Sequence, residues 1–471
     1  MNLLLALEDV KMRAGGWANQ TTAQPVGIAL LLTMIIAVFV VPRRWAIIPF
    51  FILACFAARQ RVVIATLDFD FIRLLVIFGW MRVAARGEMR GFQWKPTDTI
   101  FALWCLMSVI APIMLHKTTA VLTVQLGQLL TIAGGYYLFR MLVKNWDDIY
   151  GFVRAAVFVG IPVAALFLVE KMTARNFFAS FGGIPELTQI RYGEIRAQGA
   201  YAHPILAGCF WAAMAPMFAA LWWKKGLDVY LAVVGVLVCV VISWACASST
   251  PLVGMMAASL AAGMFLLRRN MRAVRWGILG MLIVLQLVKS KPVWHMFVYA
   301  DLIGGSTGWH RYRVINEAIN HFPEWMLWGT KSTVHWGVTD ITNQFVLEGI
   351  RGGLLTMVLM IALVSVSFGS VGRLWRVAMP RRPEVAMAWA LGVTMFVHLT
   401  SFMAVSYFGQ IVTLLTIHLA MIASLSPTKR AFAVRQRQAA IAQRRSKQAR
   451  NGQAWSGRTP DTAFARGGAP S

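Results

Sequence analysis

LDVYLAVVGVLVCVVISWACA, residues 227–247, carries a single charged side chain, Asp228. A run of this length suffices to cross a bilayer as a helix, which takes about 20 mainly apolar residues. The hydrocarbon core holds no water to bond backbone N–H and C=O groups, so a spanning segment must bond them internally. The stretch therefore predicts a membrane-spanning α-helix.

Comparable apolar runs lie on both sides of this stretch, along almost the whole chain. By length and composition the predicted spans are 26–41, 45–58, 67–84, 98–115, 119–142, 149–169, 204–223, 227–247, 251–267, 275–289, 345–369, 385–405 and 408–425. These runs lack the alternation over about ten residues that marks a transmembrane β-barrel. The predicted fold is all-α, a polytopic membrane helix bundle of about 12–13 transmembrane helices with two larger extracytoplasmic loops.

The composition agrees with a membrane protein. Hydrophobic residues make up 58% of the 471-residue chain and charged residues 14%, whereas about a quarter of a soluble domain is charged. The five cysteines lie inside apolar runs without CxxC spacing, so neither a disulfide framework nor a thiolate metal site is indicated. We expect no cleavable signal peptide, because no short apolar region with a cleavage site opens the chain.

The net charge of +26 is distributed between the spans and in the C-terminal tail. Basic clusters follow alternate spans, which makes those loops cytoplasmic by the positive-inside rule. The two long polar loops, 170–203 and 290–344, then lie outside. Thirteen spans with an external N-terminus is the direct count, and twelve with an internal one is the alternative. Nucleic acid is not an expected partner.

Two regions are therefore expected, a membrane domain over 1–426 and a basic tail over 427–471. The tail has ten basic residues and one acidic residue, Asp461. Such a segment is typical of a disordered or partly helical cytoplasmic tail. Each basic residue near an anionic lipid surface contributes about 1 kcal/mol to attraction, so anionic lipids are an expected partner.

The loop 290–344 contains a predicted amphipathic helix over 308–322. Polar residues gather on one of its faces, namely His310, Arg313, Glu317, Asn320 and His321. Arg311 instead projects from the centre of the apolar face, and a charge directed inward is costly unless it meets an opposite charge. Arg311 is thus expected to meet an anionic ligand, or else to snorkel or to pair with Asp301 or Asp340. Arg313 and Glu317, at i and i+4, are expected to form a solvated pair.

The loop 170–203 contains a second basic group, Arg191 and Arg196, with Glu194 placed to neutralise one of them. Gly199 permits close backbone approach, and His203-Pro204 opens the next span. Arginine is suited to bidentate phosphate recognition. Two arginines from separate loops are therefore candidates to hold a diphosphate at the membrane surface.

The start of the next span carries a polar face made by Gln344, Glu348 and Arg351, at i, i+4 and i+7. Glu348 and Arg351 are expected either to pair with each other or to form a wall of a polar site. Glycines at 349, 352 and 353 would let another backbone approach closely.

Three elements together resemble the bacterial O-antigen ligase/polymerase superfamily, over roughly residues 180 to 370. They are Arg196-x-x-Gly199-x-Tyr201-x-His203-Pro204, the arginine-led outer helix ending in His321-Phe322-Pro323 with Gly329 after it, and Thr342-Asn343-Gln344-Phe345 with Gly349-x-x-Gly352-Gly353. The resemblance implies a glycosyltransferase of the GT-C type in the bacterial inner membrane, inverting and independent of metal and cofactor. Its donor would be an undecaprenyl-diphosphate-linked glycan, and its acceptor a glycan or glycolipid at the extracytoplasmic face.

In that family arginines of the two outer loops contact the donor diphosphate, and these map to Arg196 and Arg311. The family often has a histidine where this chain has Thr342, and a threonine hydroxyl cannot act as general base near neutral pH. Either His203, His310, His335, Asp340 or Glu348 would supply that role, or base assistance would be weak and departure of the diphosphate would carry the rate. The candidate catalytic residues are His203, His310, His335 and Glu348, and the candidate substrate-binding residues are Arg191, Arg196, Arg311, Arg313 and Asn343.

The sequence does not decide between a polymerase and a ligase, and it leaves the oligomeric state open. A transporter or flippase of a lipid-linked sugar is the principal rival, although transporters place charged sites near the bilayer midplane. The charges that such a protein could use are Asp68, Asp70, Arg73 and Arg154. A non-catalytic scaffold of an envelope complex is a third possibility.

Overall fold

The computed structural model describes residues 23–57, 60–64, 67–299, 307–428 and 431–434. Helices dominate these residues, and the named strands form two short antiparallel hairpins. Eight of the described helices are long and apolar enough to cross a membrane. The prediction of an all-α, multi-pass membrane bundle is confirmed.

Each predicted span overlaps at least one helix, although the helix within 45–58 is only nine residues long. In chain order the helices are α1 (Pro25–Val40), α2 (Ile48–Phe56), α3 (Phe71–Ala85), α4 (Pro96–His116), α5 (Thr119–Leu129), α6 (Gly135–Leu142), α7 (Trp146–Thr173), α8 (Pro204–Ala220), α9 (Leu227–Ala245), α10 (Ser249–Gly263), α11 (Met271–Val288), α12 (Thr307–Asn320), α13 (Phe322–Trp325), α14 (Gln344–Ala378), α15 (Arg382–Phe402) and α16 (Gln410–Leu425). A π-helical turn, Leu130–Gly134, joins α5 to α6, so these two make one predicted span. Short 3-10 helices lie at Phe177–Phe181, Val293–Tyr299 and Val334–Trp336.

The third predicted span starts later than expected. Strands β1 (Arg61–Ile64) and β2 (Leu67–Asp70) pair there as a hairpin. Asp70 then caps α3, because its Oδ1 accepts a hydrogen bond from the backbone N of Arg73 at 2.7 Å. The other hairpin is β3 (Ile190–Arg191) with β4 (Glu194–Ile195).

Long-range contacts sort the helix termini into two ends of the bundle. At one end, Lys95 Nζ before α4 donates to the Ser426 carbonyl oxygen after α16 at 2.6 Å. Arg43 Nη1 after α1 contacts Asp148 Oδ2 of α7 there at 2.8 Å. We call this the basic end. The opposite end carries segments 174–203 and 307–343, and we call it the loop end.

The basic end is held by a buried ion pair. Arg140 of α6 contacts Asp98 of α4 at 2.8 Å, and both side chains are almost inaccessible. The Tyr136 hydroxyl also donates to Asp98, at 2.6 Å. A buried pair is stable only when such further hydrogen bonds satisfy its polar atoms. The same cluster reaches α16, because Arg140 Nη1 donates to Ser424 Oγ at 3.0 Å.

Helix α8 forms the centre of the bundle, and α11 has no buried residue. Small residues explain the central position, because they let neighbouring helices approach closely. A Cβ added at Gly208 would lie 2.3 Å from Pro251 of α10. The compact unit ends at Ser426. The tail predicted over 427–471 lies almost entirely outside the described residues, as does the possible partner Asp301.

Candidate functional site

Glu170, near the end of α7, determines the shape of segment 174–203. One carboxylate oxygen accepts hydrogen bonds from Thr188 Oγ1 and the backbone N of Gln198, and the other accepts one from the backbone N of Gly199, all at 2.9 Å. Glu170 is fully buried. A carboxylate with three short bonds is a strong local anchor, so this segment is a fixed part of the site.

Arg196, which follows β4, is buried, with 5% of its surface exposed. Within the part of the chain that the structure describes, its Nε has no hydrogen-bond partner. Burial lowers the pKa of Arg196, and the positive charge of Arg191 lowers this pKa further. An arginine remains protonated under such a shift. Within the described ranges Arg196 forms no ion pair, so the structure holds there a buried cation whose charge no acidic side chain within 4 Å balances.

Glu194 does not neutralise Arg196, contrary to one expectation. Its Oε2 instead lies 2.9 Å from Lys171 Nζ. Arg191 stands over the ring of Tyr192, with its guanidinium carbon 5.0 Å from the ring centroid. The acid nearest in sequence is thus engaged elsewhere.

Arg311 enters the same region from α12. Its side chain is 8% exposed, as the helical periodicity predicts for the inner face. Nη2 donates to Thr250 Oγ1 at 2.9 Å, and the guanidinium acts electrostatically on Cys209 of α8. Arg311 therefore faces the bundle and contacts the first turn of α10.

Both arginines are anchored to the turn between α9 and α10. The backbone N of Ala197, beside Arg196, donates to the Ala245 carbonyl oxygen at 3.1 Å, and Arg311 bonds Thr250. Five residues of extended chain span at most about 18 Å, which is the upper limit of the separation between the two anchor points. Cys246 lies in that turn, close to Arg196 and to Cys209. The structure thus ties the segment that carries Arg196 and the helix that carries Arg311 to the same turn at the loop end.

The remaining details of α12 differ in part from the prediction. Its buried residues include Val314 and Ala318, whereas Ile319 is 49% exposed. Glu317 Oε2 lies 3.8 Å from His321 Nδ1. Arg313 is exposed and lies against Gly337, where a Cβ would be 2.4 Å from its Nη2. The predicted Arg313–Glu317 pair is therefore wrong, because each side chain has a different neighbour.

The three candidate catalytic histidines have separate surroundings. His203 caps α8, with its Nδ1 accepting from the backbone N of Ile205 at 3.2 Å. His310 Nε2 lies 2.8 Å from the Asp340 carbonyl oxygen. His335 is exposed, and its Nε2 lies 2.7 Å from Glu324 Oε2. Hydrogen bonds from His335 and Trp336 lower the pKa of Glu324.

Asn343 and Gln344 organise the start of α14. Asn343 Oδ1 caps the helix by accepting from the backbone N of Phe345 at 3.0 Å, so its oxygen has a structural role. Gln344 Nε2 donates to Glu348 Oε1 at 2.7 Å, and Trp104 Nε1 donates to Glu348 Oε2 at 2.9 Å. The shared face of Gln344 and Glu348 is confirmed. No ion pair between Glu348 and Arg351 occurs among the described residues, and Arg351 is exposed.

One of the three glycines of α14, Gly353, receives a neighbouring backbone as predicted, whereas Gly349 faces the Trp325 ring and Gly352 faces Thr356 of the same helix. Gly353 interrupts the helix with φ 78° and ψ 176°, and a Cβ there would lie 2.0 Å from the Leu327 carbonyl oxygen. The segment after α13 enters at this break. The backbone N of Leu354 donates to the Met326 carbonyl oxygen at 2.9 Å, and that of Thr330 donates to the Ile350 carbonyl oxygen at 2.8 Å.

The turn between α15 and α16 ties the two loop-end segments together. Ser406 Oγ donates to the Ile341 carbonyl oxygen at 2.5 Å, and the backbone N of Tyr407 donates to Gln344 Oε1 at 2.6 Å. Gln410 Nε2 donates to the Ala200 carbonyl oxygen at 2.7 Å. This turn therefore joins the Arg196 segment to the start of α14.

Sequence reasoning missed several residues that build this region. Glu170 and Trp104 lie in or beside apolar runs, and so do Tyr407, His398 and His418. The signal that could have found the two histidines is their position inside predicted spans, where an ionisable residue is expensive and tends to be functional.

The fold and these contacts define a multi-pass helical membrane protein with a buried basic site at its loop end. Comparison with protein-family models gives no match, and comparison with curated proteins gives none either.

Proposed function

We propose that the protein is a polymerase or ligase of a cell-surface polysaccharide, exopolysaccharide or O-antigen. It would transfer glycan from an undecaprenyl-diphosphate carrier to an acceptor sugar or glycolipid. The observation that carries the proposal is the buried guanidinium of Arg196, whose Nε has no hydrogen-bond partner among the described residues. A buried cation without an opposite charge is costly, so an anion is the expected occupant.

A lipid diphosphate fits this environment better than a soluble anion. The site lies where helices α8 and α10 begin, at one boundary of the membrane bundle, and a polyprenyl headgroup would lie at that depth. Each charge-assisted hydrogen bond from arginine contributes about 1.5–3 kcal/mol. Arg196 and Arg311 could each contact a phosphate in bidentate geometry.

The chemistry of such a transfer needs few groups. The diphosphate departs with the electron pair of the broken C–O bond, and fixed positive charge stabilises it. The acceptor hydroxyl must be held in line with the anomeric carbon. Thr342 Oγ1 is buried without a hydrogen-bond partner in the described structure, and a hydroxyl there could orient an acceptor but not deprotonate it. Independence of metal and cofactor is part of the proposal.

The orientation follows from charge. The positive-inside rule places the basic end in the cytoplasm, so the loop end would face outward from a bacterial inner membrane. Helix α1 begins at the loop end, because the backbone N of Gln24 donates to Gln60 Oε1 at 2.9 Å and Gln60 Nε2 donates to the Phe181 carbonyl oxygen. Thirteen passes then start outside and end inside.

A transporter is less well supported. The charges that it could use are engaged in ion pairs, since Arg154 contacts both carboxylate oxygens of Asp228 at 2.7 Å and Asp70 pairs with Arg73. Transporters often place substrates at broken helices. In this protein the break at Gly353 is filled by the protein's own segment 326–330, which bonds the freed backbone groups.

Transfer by purified protein tests the proposal. The protein would be reconstituted in vesicles with the lipid-linked glycan that accumulates in a deletion strain. We expect elongation or transfer of the glycan without an ion gradient and in the presence of EDTA. Movement of unaltered lipid-linked glycan across the bilayer, with no new glycosidic bond, would support the transporter instead.

The deletion phenotype separates the two enzymatic alternatives. Loss of lipopolysaccharide side chains with intact polymer on the carrier would identify a ligase. Accumulation of single repeat units on the carrier would identify a polymerase.

A further inference from the structure

A row of buried polar side chains leads from the arginine site into the bundle. Arg311 acts on Cys209, and Ser401 Oγ lies close to both the Cys209 thiol and the Tyr407 hydroxyl. The Tyr407 hydroxyl lies 2.9 Å from His398 Nδ1. His398 Nε2 lies 3.0 Å from His418 Nδ1.

The two histidines are fully buried, and Tyr407 is nearly so. Among the described residues, His418 Nε2 at the inner end of the row lacks a hydrogen-bond partner. A buried polar atom without a partner is costly, so a water or a proton would be favoured at this end of the row.

Proton positions along the row have two equivalent arrangements. In one, Tyr407 donates to His398 and His398 donates to His418. In the other, His418 donates to His398 and His398 donates to Tyr407. Each neutral imidazole has one N–H and one acceptor nitrogen, so both arrangements satisfy the two central hydrogen bonds. A row with two such arrangements can pass a proton between its ends.

We propose that Tyr407, His398 and His418 form a proton relay for the acceptor hydroxyl, and this inference rests on the proposed glycosyl transfer. As the acceptor oxygen bonds to the anomeric carbon, its proton passes to the Tyr407 oxygen while the Tyr407 proton passes to His398 Nδ1. The C–O bond to the carrier breaks, and its electron pair remains on the diphosphate. The proton then returns along the row to a diphosphate oxygen, so that no other reagent is consumed.

The surroundings favour a transient proton carrier over a permanently charged pair. Among the described residues no acidic side chain lies within hydrogen-bond or ion-pair distance of either imidazole. Imidazolium in this position is therefore short-lived. Tyr407 is fixed by its backbone N–H bond to Gln344, which keeps the hydroxyl in place. These three groups would take the role that Thr342 cannot perform.

Matched tyrosine variants test the relay. Tyr407→Phe removes the relay hydroxyl, whereas Tyr150→Phe removes a buried hydroxyl that has no partner in the described structure, near the basic end. We expect Tyr407→Phe to slow transfer about 100-fold or more, in the range of general acid–base catalysis, and Tyr150→Phe to leave it unchanged. His398→Gln retains an acceptor for Tyr407 but cannot be protonated, and we expect an equal loss. Full activity of both variants at normal abundance would overturn the relay.

Two readouts separate this failure from failure of the glycosyltransferase proposal. Binding of undecaprenyl diphosphate should be retained in Tyr407→Phe and lost in Arg196→Ala. Nitrogen-15 NMR of histidine-labelled protein in nanodiscs should show two imidazoles joined by an N–H···N bond that His418→Gln removes, whatever the substrate. Absence of that bond from the wild-type spectrum would contradict the relay alone.

Discussion

Arg311 Nη2 lies 2.9 Å from Thr250 Oγ1, which fixes the outer helix α12 against the first turn of α10. Arg196 is held beside the same turn through the Ala197–Ala245 hydrogen bond. Two arginines more than a hundred residues apart in sequence are thus held by hydrogen bonds to the same turn between α9 and α10.

Arg196→Ala should abolish polymer formation while the protein remains at normal abundance in the membrane. Arg196 forms no ion pair among the described residues, so its removal breaks none there, and loss of ligand binding is the expected defect. Arg196→Lys should restore only part of the activity, because lysine lacks the bidentate fork. Polymer on gels and protein on immunoblots give the two measurements. Arg191→Ala is the control, because Arg191 lies on the hairpin and is less buried than Arg196. This variant should reduce polymer formation less than Arg196→Ala does.

Arg311→Ala should abolish polymer formation as well, with a small additional loss of stability. The hydrogen bond to Thr250 is lost, which costs about 1 kcal/mol. Arg311→Lys keeps the charge but not the fork. Full polymer in Arg311→Lys would show that fork geometry is irrelevant at this position, whereas Thr250→Val isolates the contribution of the hydrogen bond.

Glu170→Gln should loosen segment 174–203. The amide replaces one of two accepting oxygens with a donor that faces a backbone N–H, and an unsatisfied buried group costs about 1–3 kcal/mol. Limited proteolysis of the segment should accelerate, and thermal stability in detergent should fall. Glu186→Gln is a matched control, because this side chain is exposed on the same segment. Equal resistance of segment 174–203 to proteolysis in the two variants would show that Glu170 does not anchor it.

Gly353→Ala should destabilise the protein by more than about 2 kcal/mol, since a non-glycine residue at positive φ is strained. The added Cβ would also meet the Leu327 carbonyl oxygen at 2.0 Å. Gly372→Ala in the same helix has no atom within 4 Å of its added Cβ and should be neutral. The amount of folded protein recovered after detergent extraction would be compared between the two variants. Similar yields would contradict a strained, tightly packed backbone at Gly353.

Lys95 should make stability rise with pH. Burial and the charge of Arg140 lower the pKa of Lys95 to about 8 from 10.5. Between these values the unfolded lysine holds a proton that the folded one has lost, so stability rises with pH through this window. At 1.36 kcal/mol per pKa unit the gain is at most about 3 kcal/mol. The wild-type melting temperature should therefore increase relative to that of Lys95→Met from pH 8 to 10, and a constant difference would contradict the assignment.

The features predicted from the sequence are those that depend on local periodicity. Continuous apolar runs predict the spans, because a helix in lipid must bond its own backbone. The 3.6-residue period predicts that Arg311 points inward, and the glycines of α14 predict the close approach of another backbone. The predicted span 67–84 includes β2 (Leu67–Asp70), because the residues that flank this strand are apolar.

The features that the sequence does not reveal depend on pairing between distant elements. Glu194 has both arginines and Lys171 within reach along the chain, and only the packing of β4 against α7 selects Lys171. His398 and His418 contact each other because α15 and α16 pack side by side and place the two residues at the same level in the bundle. No local sequence pattern predicts that pairing. Thr342 and Asn343 lie side by side in sequence, yet only the cap geometry shows that Asn343 Oδ1 is used structurally.

Binding of undecaprenyl diphosphate to purified protein tests the central claim most directly. Native mass spectrometry would compare the wild type with Arg196→Ala and Arg311→Ala, with undecaprenyl monophosphate as the reference lipid. The wild type should prefer the diphosphate, and each variant should lose that preference. Equal retention of both lipids by all three proteins would contradict a diphosphate site at the two arginines.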